Sequence, residues 1–209
     1  VQHVVEIQIG MFESREAAKA LANDPTRWAF GYAKLAGYLI AILAAARFWA
    51  ARQQRLAWYS PWGIAWKVFG LALLLNGLFM ALSAIVEQPL KAAVGDTAAT
   101  AISLVANLIT LPLLVLLVAG LVGDSKATLA RVYRTGWGAA LRIVLLSALV
   151  LVPLMALHQL NHELAFGAHP ALVWALMVFD SLLIGLLAAG WGTAIHHGYR
   201  PLGRDPGQK

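Results

Sequence analysis

Residues 170–195 read PALVWALMVFDSLLIGLLAAGWGTAI, and only Asp180 in this run carries a charged side chain. At 1.5 Å per residue the run would be about 39 Å long as a helix, more than the roughly 30 Å of hydrocarbon in a bilayer. It lacks the strict alternation of apolar and polar residues that a membrane barrel strand needs, so a transmembrane helix is predicted. Four other runs have the same character, at about 28–49, 64–86, 98–122 and 137–157. The expected class is therefore an all-α integral membrane protein, a polytopic bundle of five transmembrane helices. Residues 1–27 are read as an extracytoplasmic segment, 28–197 as the transmembrane domain and 198–209 as a cytoplasmic tail.

These runs explain the composition. Of 209 residues, 60% are hydrophobic and 12% charged, against about 45–50% and roughly 25% in a soluble domain. So little charge cannot coat a globule of this size, and a mean hydropathy of +0.71 agrees. A water-soluble enzyme and a nucleic-acid-binding module are excluded as classes, although the net charge is +6. The absence of cysteine removes disulfides, thiolate metal sites and thiol nucleophiles together.

The basic residues set an orientation. Arg47, Arg52, Arg55 and Lys67 follow the first run without an acid, and Lys126, Arg131, Arg134 and Arg142 follow the third with Asp124 alone. Arg200, Arg204 and Lys209 follow the fifth, while the intervening loops at 87–97 and 158–169 are poor in Lys and Arg. By the positive-inside rule the basic loops and the C-terminus face the cytoplasm. Tryptophans near the ends of the runs, such as Trp28, Trp49, Trp137 and Trp191, suit the headgroup layer. The Ala-, Leu-, Trp- and Arg-rich style suggests a bacterial inner membrane.

The chain starts at Val1, and one more span upstream would make six helices with both ends in the cytoplasm. Val4, Val5, Ile7, Ile9 and Phe12 would suit the outer end of such a span or one face of a short helix on the membrane. Residues 13–22 are read as a short external helix, and Asn23-Asp24-Pro25 as the turn that starts the first span. Segments 48–59 and 124–136 are read as topology-setting loops, with short interfacial helices as the alternative.

Small residues recur every four positions at Ala29, Ala33, Gly37, Ala41 and Ala45, and again at Ser181, Gly185, Ala189 and Thr193. Such stripes let helices approach closely in lipid, so they are expected to be packed faces, against each other or against another subunit. Pro112 and Pro153 are expected to kink their helices, with Thr110 and Ser147 satisfying freed backbone groups.

Polar residues at membrane depth point to a site. Counted from the run ends, Asp180 and Asn107 lie about 15 Å and about 14 Å from one surface and Asn76 about 18 Å from the other. Lys34 is the expected partner of Asp180, because an ionised carboxylate in a span needs pairing, hydration or a proton. These four residues are read as an intramembrane polar centre, handling a proton, an ion or a headgroup or simply clasping helices. His158 and His162, spaced i, i+4, share one helical face, and with Glu163 and His169 they form a candidate metal set. His196-His197 reads as cation anchoring at a helix end.

No phosphate-binding glycine loop, nucleophile elbow or haem motif is present. The leading expectation is a non-enzymatic inner-membrane protein, a subunit, assembly or scaffold component of a membrane complex, with no cofactor. The alternatives are a small proton- or ion-coupled transporter or channel using Asp180, and a membrane-embedded metal-dependent enzyme. Expected partners are membrane lipids and either a second copy, forming a homo-oligomer, or other membrane subunits, with no nucleic acid.

Overall fold

The computed structural model describes residues 2–199, and these are helical throughout apart from short connections. In order they form α1 (Gln2–Gln8), α2 (Arg15–Ala20), α3 (Pro25–Gln54), a 3-10 turn (Pro61–Gly63), α4 (Trp66–Val94), α5 (Asp96–Leu121), α6 (Leu129–Thr135), α7 (Trp137–Ala165) and α8 (Pro170–Gly198). Among the described residues α3, α4, α5, α7 and α8 are long and apolar enough to cross a membrane. The class is a polytopic helical membrane protein, as the hydropathy required. Arg200, Arg204 and Lys209, in the expected cytoplasmic tail, lie outside the described residues.

The helices run further than the apolar stretches. α4 continues through Pro89 to Val94 and α5 begins at Asp96, so most of the expected 87–97 loop is helix and Gly95 alone separates the two. Gly95 has φ 82°, a left-handed conformation that costs glycine little, which allows so short a reversal. Glu87 and Lys91, 2.6 Å apart at i, i+4, support the added turns. α7 likewise extends past 157 to Ala165 and carries His158, Asn161 and His162 on helix rather than loop. In the 48–59 segment α3 persists to Gln54, whereas 124–136 contains the separate helix α6, capped by Thr128. The expected helix at 13–22 is α2, whose Ser14 Oγ accepts the Ala17 amide at 3.0 Å.

The chain divides into two compact units. The first comprises residues 1–45 and 147–194. Its core joins Phe12, Ala165, Val173 and Met177, with Ile7, Phe166 and Leu176 packed against them. Phe12 is fixed there because its carbonyl accepts the Gly167 amide at 2.9 Å. On α8 the buried line is Val173, Met177, Asp180, Leu183 and Leu187, at helical spacing. The small-residue stripes point elsewhere. Ala29, Ala33, Gly37 and Ala41 are exposed, as are Ser181, Gly185 and Ala189. A methyl group added at Gly37 or Gly185 would meet nothing within 4 Å. The expectation that these stripes pack against each other is therefore corrected, because larger residues such as Ile42 and Leu187 fill the interior instead.

The second unit comprises residues 46–146 and 195–209. Its centre is the α4–α5 hairpin, where Leu113, Val115, Leu116, Val118, Ala119 and Leu121 are buried. The backbones touch at Gly120, whose carbonyl accepts the Ala65 amide at 2.9 Å. At the ends of these helices Arg47 donates to Gln54 Oε1 at 3.0 Å, Ser60 O at 3.1 Å and Gly63 O at 3.2 Å. A residue read only as a topology signal thus also ties down the 55–65 connection. Thr110 donates to the carbonyls of Ala106 and Asn107 rather than to that of Leu108, which Pro112 frees. In the first unit Ser147 Oγ is buried without a hydrogen-bond partner, so neither hydroxyl takes its expected role.

A Cβ at Gly120 would lie 2.4 Å from the Phe69 backbone nitrogen, whereas one at Gly77 would meet nothing within 4 Å. Gly120→Ala is expected to destabilise the protein in detergent by about 1–3 kcal/mol, with Gly77→Ala neutral or slightly stabilising. Melting curves of the two variants check this, and equal melting temperatures would contradict the close approach.

Candidate functional site

Placing Asp180 on the inward line of α8 buries its carboxylate completely, at 0% exposure. A carboxylate without water needs donors or cations around it. α7 provides three, since His158, Asn161 and His162 fall at i, i+3 and i+4 and so share one face. His158 Nδ1 is 2.7 Å from Asp180 Oδ1 and Asn161 Nδ2 donates to the same oxygen at 3.4 Å. His162 Nε2 is 3.7 Å from Oδ2.

The fourth neighbour comes from α1. His3 Nε2 is 3.0 Å from Asp180 Oδ2, while its Nδ1 is 2.9 Å from Glu6 Oε2. The i, i+3 spacing of His3 and Glu6 makes that second contact local. Glu6, itself buried, is held in turn by Arg27 Nε at 3.1 Å and Gln2 Nε2 at 2.9 Å, both on Oε1. Arg27 also donates through Nη1 to Ala22 O at 2.9 Å, which fixes its fork. The result is a continuous polar chain, Arg27–Glu6–His3–Asp180, closed on the far side by the three α7 residues.

Burial works against the charged form of His3, but the hydrogen bonds to Asp180 and Glu6 outweigh it, so His3 takes a proton more readily than an ordinary histidine. Burial also opposes the Glu6 carboxylate, and the hydrogen bond to His3 with the charges of His3 and Arg27 more than offsets this. Its pKa is held below the usual carboxylate value. His3 Nε2, His162 Nε2 and Asp180 Oδ2 are all buried and turned toward one another, the two nitrogens 3.0 Å and 3.7 Å from the carboxylate oxygen.

The polar centre anticipated from sequence separates. Lys34 lines a cavity of about 410 Å³ together with His3, Gln2, Phe30 and Ser181. Asn76 donates to Ala72 O at 2.8 Å and Leu113 O at 3.3 Å, bridging α4 and α5. Asn107 donates to Ser103 O at 2.8 Å in its own helix. The close polar neighbours of Asp180 are instead histidines and Asn161. The anticipated metal set also separates. His158 and His162 turn toward Asp180, but Glu163 pairs with Arg15 at the exposed surface, and His169 Nδ1 accepts the Ala171 amide at 3.3 Å at the start of α8. His3, Glu6 and Asn161 went unnoticed in the sequence. The only signal for the first two was their own i, i+3 spacing, and Asn161 stands one residue before His162.

No family model, curated protein or solved structure matches this chain. Glu6→Gln keeps the side-chain volume but removes the anion that holds Arg27 and His3. It is expected to destabilise the protein by about 2 kcal/mol and to expose α1, measured as a lower melting temperature and faster amide exchange over residues 2–8. Unchanged exchange there would show that Glu6 does not anchor the segment.

Proposed function

We propose that this chain is a non-enzymatic component of a membrane assembly, in which the α4–α5 hairpin receives a transmembrane helix of another subunit. Asn107 carries the reading. It lies near the middle of α5, a helix of mean hydropathy 2.5 over its most apolar window, and its side chain is exposed. A carboxamide facing hydrocarbon is costly, and hydrogen bonding across helices is a common remedy. Around it Phe79, Met80, Ser83, Ser103 and Ala106 line a groove of about 650 Å³. Ser83, Ser103 and Ala106 are the small side chains there that admit a close helix.

Other features support the same role. Ala29, Ala33, Gly37 and Ala41 on α3, with Ser181, Gly185 and Ala189 on α8, are exposed small residues that offer faces for a neighbouring helix. The connections are short, one residue between α4 and α5 and four between α7 and α8, leaving little extramembrane surface for soluble chemistry. The distribution of arginines favours a cytoplasmic C-terminus, and the Ala-, Leu-, Trp- and Arg-rich composition favours a bacterial inner membrane. The transporter reading rests on Asp180, a carboxylate within a span.

Purification in mild detergent is expected to bring down a stoichiometric membrane partner, and Asn107→Leu or Ser103→Leu is expected to release at least tenfold more free chain without changing the melting temperature. Recovery of the unaltered chain as a monomer without a partner would overturn the assembly role. A homo-oligomer broken by Asn107→Leu would replace the partner with a second copy. A proton-linked flux in liposomes abolished by Asp180→Asn would favour transport instead.

A further inference from the structure

Three buried atoms around Asp180 stand in a particular arrangement. His3 Nε2, His162 Nε2 and Asp180 Oδ2 lie within 4.8 Å of one another, and the carboxylate oxygen is 3.0 Å and 3.7 Å from the two nitrogens. Donors about 2.0–2.1 Å from a tetrahedral zinc ion are about 3.3 Å apart, between the two measured spacings. We propose that these atoms bind a divalent transition-metal ion of the zinc class through two imidazoles and one carboxylate, a site independent of the partner surface on α4–α5.

The surroundings orient each donor. A metal-bound imidazole commonly gives its other N–H to a carboxylate or carbonyl, which fixes the tautomer. Here Glu6 accepts from His3 Nδ1, so an ion that displaces the proton between His3 Nε2 and Asp180 Oδ2 would meet the Nε2 lone pair. Two lone-pair atoms 3.0 Å apart repel unless a cation or proton lies between them. His158 and Asn161 hold the other oxygen of Asp180, leaving Oδ2 for the ion. Phe12 packs against the His162 ring, with centroids 5.7 Å apart, and restricts its rotation. Nitrogen and oxygen donors without sulfur suit a borderline ion such as Zn²⁺ better than Cu⁺. Three protein ligands leave a fourth position open, and one of them, His3, also lines the cavity that it shares with Lys34. Glu163 and His169, expected from sequence to be ligands, are engaged elsewhere.

The test uses the full chain in mild detergent, stripped with chelator and titrated with Zn²⁺ against a fluorescent competitor. One ion per chain is expected, with affinity reduced at least 100-fold in His3→Ala and His162→Ala, 10- to 100-fold in Glu6→Gln, and unchanged in His169→Ala. Because a variant can fail to fold, Co²⁺ is also added to the unaltered protein. Visible d–d bands that Zn²⁺ removes are expected. No saturable Zn²⁺ binding, no such bands, or binding that survives His3→Ala yet disappears in His169→Ala would each overturn the site.

Discussion

Hydrocarbon supplies no hydrogen bonds, so a chain crossing it must close every backbone N–H and C=O within its own helices and bring partners for each polar side chain it carries inside. Asp180 faces that constraint in its strictest form, as a fully buried carboxylate on a span. Its requirement for donors draws together elements far apart in sequence, α1 at the start of the described chain and the last turns of α7. The first unit is organised around meeting it.

α1 shows how closely site and fold depend on each other. Seven residues are too few for a helix to persist alone in water. This one is held by His3 and Glu6 through the polar chain, by buried Val5, and by Phe12 just beyond the turn at Gly10. The same contacts that fix α1 also set the His3 ring beside Asp180. A ligand bound among these side chains would therefore order the segment as well as occupy the site, since binding energy available only in the folded arrangement adds to its stability.

The second unit meets the same constraint differently. Asn76 bridges α4 and α5 by reaching carbonyls of both, and Gly120 lets the two backbones touch. Asn107 is left facing outward, next to serines on a groove. The first unit satisfies its buried polar group with side chains of its own, while the second displays one where a neighbouring helix would satisfy it. That contrast separates the proposed metal site from the proposed assembly surface.

Hydropathy alone determined the class and the number of long helices, because the cost of placing charge or unpaired backbone in lipid acts locally on each run of about 20 residues. It also singled out Asp180 and the His158/His162 face, since a lone carboxylate in a span and an i, i+4 pair are visible without a fold. Only tertiary structure decided which groups meet. Lys34 was the expected partner by depth, yet depth gives height in the membrane and not direction around a helix axis. The rotation of α8 was set by packing Val173, Met177 and Leu187, and it turned Asp180 toward α7 and α1 and left the small-residue stripe outside. His3, 177 residues before Asp180, had no local pattern to mark it as a neighbour, because their contact exists only once that rotation and the turn at Gly10 are both in place.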